Sequence, residues 1–389
     1  MLLAWLVPRL EYYLTTGANP LSNLLQQLYT DYDQSPWLDF IDRDLLSSGR
    51  LLKLAQAGVR GVTSNPTIFA KAIDSGQYDR QIQHLLARGA SDHDIYEHIV
   101  IGEVAAAADV LRPVYEQSGG RDGFVSIEVE ADLAHDAART LARAIEFSER
   151  LARPNVMVKI PATDAGLEAI TEATARGLNI NVTLLFSLAM YRRVAEAYIE
   201  GLRRRAEAGH DLTYSASVAS FFVSRVDKLV DARLDKIGDE TADLRGRAAI
   251  ANARAAYRAF GEIFSSTQFA ELQASGARPQ RLLWASTSVK DPDRRDVTYV
   301  EELIGPQTIS TMPLETMEAL NDHGVLAARL DIDARQDEEL LERLRGYGIE
   351  LEEVAEQLTV DGIAQFADSF NELLTAIAQR RGQESEAIA

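Results

Sequence analysis

Asn155-Val156-Met157-Val158-Lys159-Ile160-Pro161 reads as a strand in which one amine replaces an otherwise apolar position. An extended chain alternates its faces, so Val156, Val158 and Ile160 point one way and Asn155, Met157 and Lys159 the other. Apolar residues on both faces mark a strand of a parallel sheet, covered on both sides. A lysine there loses much of its hydration, which disfavours its charged form. A partly neutral amine attacks carbonyl carbon, which is the chemistry of a Schiff-base lysine. The plainer reading is a lysine at a strand end that snorkels to water.

Outward from this run, short β-like stretches recur. Strands are predicted at 36–41, 61–65, 124–128, 156–160, 179–183, 215–220, 282–286 and 308–311. Helical patterns fill the gaps at 45–57, in several segments across 67–115, and at 135–151, 165–176 and 189–208. The last three carry apolar residues at three- and four-residue spacing. Eight strands alternating with helices predict an α/β protein built as a single (β/α)8 barrel. The alternative is a doubly wound open sheet, weakened because no G-x-G-x-x-G follows an early strand. Residues 1–34 read as an N-terminal helical extension, 35–330 as the barrel, and 331–389 as C-terminal helices packed on it. The polar end 380–389 is expected to fray, and the charged stretch 231–258 reads as an exposed helical region lengthening one connection.

Lys plus Arg number 40 and Asp plus Glu 59, a net charge of −19. That surplus argues against nucleic acid or an anionic membrane as the main partner, while one local cluster of basic residues would still suit a phosphorylated small molecule. The absence of cysteine excludes disulfides, thiolate metal sites and cysteine nucleophiles. The apolar start, residues 1–7, is interrupted by Pro8 and Arg9 and lacks a basic leader, so it reads as an amphipathic extension rather than a signal peptide or a membrane span. A cytoplasmic protein is expected, with monomer and homodimer both open.

The same alternation extends to other strands. Ser126, Glu128 and Glu130 oppose Val125, Ile127 and Val129, and Asn179, Asn181 and Thr183 oppose Ile180, Val182 and Leu184. Asp39 shares a face with Trp37 and Ile41, and Thr63 with Asn65. If helices cover the outside, Asp39, Asn65, Glu128, Lys159, Asn181 and Thr183 point into the barrel, most toward its C-terminal mouth, where barrel enzymes place catalytic groups. Each also has a plain structural reading. Asp39 could cap a helix, as could Asp42 and Asp44. Asn65 before Pro66 is a turn residue, Glu128 could be solvated, and Asn181 and Thr183 could bond to backbone. All six would have to hold together, and buried polar groups are costly without partners. A polar constellation around an amine is the better account.

Gly61-Val-Thr-Ser-Asn-Pro-Thr-Ile-Phe69 and Val156-Met-Val-Lys-Ile-Pro-Ala-Thr-Asp-Ala-Gly166 resemble the two signature segments of transaldolases. The likeness continues through Val125-Ser-Ile-Glu-Val129, Asn179-Ile-Asn-Val-Thr-Leu-Leu-Phe-Ser187 and Ser220-Phe-Phe-Val-Ser-Arg225, in order from about Ser35 to Met312. Ser35-Pro-Trp-Leu-Asp39 and Leu283-Trp-Ala-Ser-Thr287 are similar to the longer bacterial branch. The resemblance implies a (β/α)8 barrel and transfer of a dihydroxyacetone unit from sedoheptulose 7-phosphate to glyceraldehyde 3-phosphate, giving erythrose 4-phosphate and fructose 6-phosphate in the pentose phosphate pathway. It implies Lys159 as the Schiff-base lysine and Asp39 as the carboxylate that takes and returns a proton at the C–C bond. Glu128 and Thr183 would handle protons through a water. Asn65 and Asn181 would hold hydroxyls, with Thr63 and Phe222 also at the substrate, and Ser220 and Arg225 would take phosphate.

An iminium gives the adjacent C–C bond an electron sink, so this chemistry calls for no metal or other cofactor. His93 and His98 read as surface residues without an H-x-x-x-H pair, and Lys290 as a solvated loop lysine. The nearest rival resembles fructose 6-phosphate aldolases, which carry glutamine in place of Glu128 and tyrosine in place of Phe222. The chain departs from that pattern at both positions.

Overall fold

The computed structural model describes residues 23–332 and 334–388, with side chains as far as residue 380. Eight strands pair in sequence order: β1 (Gln34–Leu38), β2 (Gly61–Val62), β3 (Phe124–Glu128), β4 (Val156–Pro161), β5 (Ile180–Leu185), β6 (Ser217–Phe222), β7 (Arg281–Ala285) and β8 (Thr308–Met312). All pairs are parallel. β8 returns to β1, with Gln34 opposite Thr308 and Leu38 opposite Met312, which closes the barrel and excludes the open sheet. The predicted (β/α)8 architecture is borne out. Every strand residue is buried, as expected when side chains fill the inside and helices cover the outside.

Several boundaries differ from the sequence reading, and each has a local cause. β1 ends at Leu38 because Asp42 begins a helix, Arg43–Ser47, accepting a hydrogen bond from Leu45 N at 2.7 Å. β2 ends at Val62 because Asn65 caps Pro66–Asp74, accepting from Ile68 N at 3.1 Å with Pro66 in the first turn. Asp39, Thr63 and Asn65 therefore lie in βα connections at the C-terminal mouth. The helix predicted at 45–57 is broken at Gly49, whose left-handed φ of 71° glycine adopts without the penalty of a Cβ. The stretch 231–258 is not an exposed helical region. Its main helix, Ala248–Phe264, is buried under Ala334–Gly346, where Arg254 and Arg258 meet Asp337 at 3.5 and 3.1 Å.

The opposite mouth is closed by charge. Asp122, in the turn before β3, is buried beside Arg281 at 2.9 Å and Arg60 at 3.1 Å. Burial pushes its carboxyl up, but the two guanidinium groups prevail and hold it below the usual range. Ion pairing at the N-terminal mouth, away from the catalytic end of the barrel, serves stability.

Helix Leu24–Tyr32 packs on β1 and on Leu314–His323, whereas residues 1–22 of the expected N-terminal extension lie outside the described residues. The last helix, Leu351–Ile388, packs against Pro66–Asp74, Asp92–Gln117, Ser224–Asp235 and β5. It continues as helix where fraying was expected, and Arg380 pairs with Asp79 and donates to the carbonyl of Ile73. Among the described residues no helix is long and apolar enough to cross a membrane.

Candidate active site

Register does the first part of the assembly. Glu128 pairs with Lys159 across β3–β4, and Lys159 with Asn181 across β4–β5, so three polar residues stand in one row. Lys159 is 5% exposed, which rules out snorkelling. Its Nζ donates to Glu128 Oε2 at 3.1 Å and to the Ser64 carbonyl at 3.0 Å. Asn181 donates from Nδ2 to Ser126 Oγ at 3.0 Å and accepts from Ser220 Oγ at 2.6 Å. Ser64 Oγ donates to the Ser126 carbonyl at 2.7 Å, tying the lysine's carbonyl partner to β3.

Asp39 enters from the connection after β1. Thr63 Oγ1 donates to its Oδ1 at 2.8 Å and lies 2.8 Å from Thr311 Oγ1. A hydroxyl has one hydrogen, so Thr311 donates to Thr63. Burial pushes the Asp39 carboxyl up, opposed by the charge of Lys159, the bond from Thr63 and the charge of Arg225. Glu128 is pushed up by the same cause, opposed chiefly by Lys159. Burial lowers Arg225, while Glu128 and Asp39 act to raise it. Its guanidinium makes no hydrogen bond or ion pair among the described residues. It lies 5.2 Å from the Phe222 ring and 5.8 Å from that of Phe366.

Eight of the ten residues predicted for the site, Asp39, Thr63, Asn65, Lys159, Thr183, Ser220, Phe222 and Arg225, line one cavity of ≈ 390 Å³. The other two, Glu128 and Asn181, stand behind it, bonded to Lys159 and Ser220. The Thr183 hydroxyl is buried with no hydrogen-bond partner among the described residues. Directly after it, the β5–β6 register shifts and Leu184 takes a φ of 55°, strain of the kind that gathers at functional sites. Ser220 is brought to Asn181 rather than to Arg225. Glu130, read on the same face as Glu128, lies beyond the end of β3 and binds Arg143 at 3.0 Å, so it belongs to a separate, largely buried cluster with Glu97, beside exposed His93. Lys290 is exposed, as read, and lines the cavity mouth together with Lys71.

A family model described as transaldolase/fructose-6-phosphate aldolase matches residues 36–377. The chain belongs to this family. Among its relatives it is 49% identical over 362 residues to the transaldolase of Thermobifida fusca, covering 92% of this chain and 98% of that one. It is 48% identical over 371 residues to transaldolase 1 of Streptomyces coelicolor, covering 94% and 96%. With the transaldolase of Mycolicibacterium smegmatis it shares 48% over 346 residues, or 88% and 93%. The family match runs past β8 into the last helix, whose residues Gln365 and Phe366 also line the cavity.

Sequence reasoning missed four participants. Thr311 was within reach, because it is a hydroxyl at the C-terminal end of its strand, the end that faces the mouth. Ser64 contributes its backbone carbonyl, which side-chain alternation does not register. Gln365 and Phe366 sit on an amphipathic helix remote in sequence, with no local signal of the site.

Proposed function

We propose that this protein is a transaldolase that carries a dihydroxyacetone unit between phosphorylated sugars on a Schiff base at Lys159. The observation that carries this reading is the buried Lys159 amine, hydrogen-bonded to Glu128 and sharing a cavity with Asp39. The amine adds to the ketone carbon of the donor. Burial raises the Glu128 carboxyl above its usual range, which suits it to deliver the proton that expels water from the carbinolamine, and its bond to the amine itself puts it in reach. Thr183, with its unpaired hydroxyl, is suited to hold the water through which that proton passes. Asp39 then takes the hydroxyl proton as the C–C bond breaks, and the electron pair flows into the iminium to give an enamine. The acceptor aldehyde reverses these steps.

Asn65 and Asn181 hold the hydroxyls of the three-carbon unit. Asn65 spends its Oδ1 on the helix cap and keeps its Nδ2 without a bond among the described residues. Ser220, committed to Asn181, reads better with this set than with phosphate. Arg225 anchors the phosphate by charge-assisted hydrogen bonds, and exposed Lys71 and Lys290 make the mouth locally positive on a chain of net charge −19. On this reading the barrel 35–330 carries the chemistry, residues 331–389 cover it, and the protein works in the cytoplasm as a monomer or homodimer.

The related activity, release of free dihydroxyacetone, is disfavoured by Glu128 and Phe222. A coupled assay separates the two. Formation of glyceraldehyde 3-phosphate from fructose 6-phosphate should depend on added erythrose 4-phosphate. An equal rate without the acceptor would mean an aldolase.

A further inference from the structure

The last helix, Leu351–Ile388, stands outside the eightfold repeat, yet it is seated on the cavity by three specific contacts. Gly362 lets it down onto Leu184, since a Cβ there would lie 2.8 Å from Leu184 Cδ2. The hydroxyl of Ser369 meets that of Thr67 at 2.9 Å, and Phe370 packs edge-on against Tyr96 at 5.0 Å. Between these points Phe366 is buried, with its ring 5.8 Å from the Arg225 guanidinium carbon. Phe222 supplies a second ring at 5.2 Å. Arg225 is a long side chain with much rotamer freedom to lose. It makes no hydrogen bond or ion pair among the described residues, and both rings lie within cation–π reach of it.

Resting on the reading of Arg225 as the phosphate anchor, we propose that Phe366 is a positioning residue that holds the Arg225 guanidinium in place and so sets the preference for phosphorylated over unphosphorylated substrates. Glu128 and Asp39 already attract Arg225. Without the Phe366 ring the guanidinium is free to turn toward them, and a phosphate must draw it back on binding. The loss then falls on recognition of the phosphate end and not on chemistry at Lys159.

The test compares kcat/KM for fructose 6-phosphate and for unphosphorylated fructose as donors, with erythrose 4-phosphate as acceptor, in the full-length chain. Phe366→Leu keeps an apolar side chain of similar size and removes the ring, whereas Phe366→Tyr keeps the ring. Phe366→Leu should lower the ratio of the two kcat/KM values by about three- to thirtyfold, the range expected of one cation–π contact, mainly through KM for the phosphorylated donor. Inhibition by inorganic phosphate should weaken in parallel, and Phe366→Tyr should restore both. Equal losses on both donors, or an unchanged ratio, would overturn the proposal. Arg225→Met separates the two layers of the argument. If it lowers the ratio while Phe366→Leu does not, only the role of Phe366 fails. If it leaves the ratio unchanged, the phosphate anchor fails as well.

Discussion

The single hydrogen of the Thr63 hydroxyl goes to Asp39 Oδ1, and that bond stabilises the carboxylate against the burial that pushes its pKa up. In the proposed mechanism Asp39 acts as a base and must be ionised, so activity should fall as pH drops through its pKa. Thr63→Val keeps the shape and removes the donor, leaving burial less opposed. The acidic limb of the kcat/KM profile should then move to higher pH, by about one to two units, since a hydrogen bond to a charged group is worth about 1.5–3 kcal/mol. A limb that stays put or moves to lower pH would contradict the assignment of Asp39. At this scale much of the site was legible. Strand alternation placed Glu128, Lys159, Asn181 and Thr183 on one inner surface, because a side chain's face follows from its parity along a strand. Parity does not reveal partners, however, so the link from Ser220 to Asn181 and the pairing of Glu130 with Arg143 emerged only in three dimensions.

Between strand and helix, glycine sets how closely the elements of the site approach. Thr163 caps the helix Asp164–Ala175 after β4, accepting from Gly166 N at 2.9 Å. A Cβ on Gly166 would lie 2.0 Å from the Pro161 carbonyl oxygen, two residues beyond Lys159 in β4. Gly166→Ala must displace the helix or the end of β4, a backbone shift that costs about 1–3 kcal/mol. Its melting midpoint should fall below that of the parent chain, and trapping of substrate on Lys159 should slow. Unchanged values of both would mean that the close approach does no positioning. Helix caps also explain why β1 and β2 were read too long. The two-residue alternation runs on through Ile41 and Asn65, but Asp42 and Asn65 start helices, and capping overrides the pattern.

Across the whole molecule, eight repeats of a doubly buried strand and an amphipathic helix leave few alternatives to a closed parallel barrel, so the fold was legible throughout. What was not legible depends on residues far apart in sequence. The charged stretch 231–258 looked exposed because Glu302 and Asp337, which pair with Arg254, lie much later in the chain. The seating of the last helix on the cavity likewise depends on Leu184, Thr67 and Tyr96, none of which marks Phe366 from the sequence. On the proposed mechanism Lys159, alone among the lysines, forms the covalent bond. Reduction with borohydride in the presence of fructose 6-phosphate, followed by mass mapping of peptides, reads out which lysine carries the substrate. An adduct is expected on the peptide containing Lys159 and none in Lys159→Ala; no adduct, or an adduct on another lysine such as Lys71 or Lys290, would overturn the assignment of Lys159.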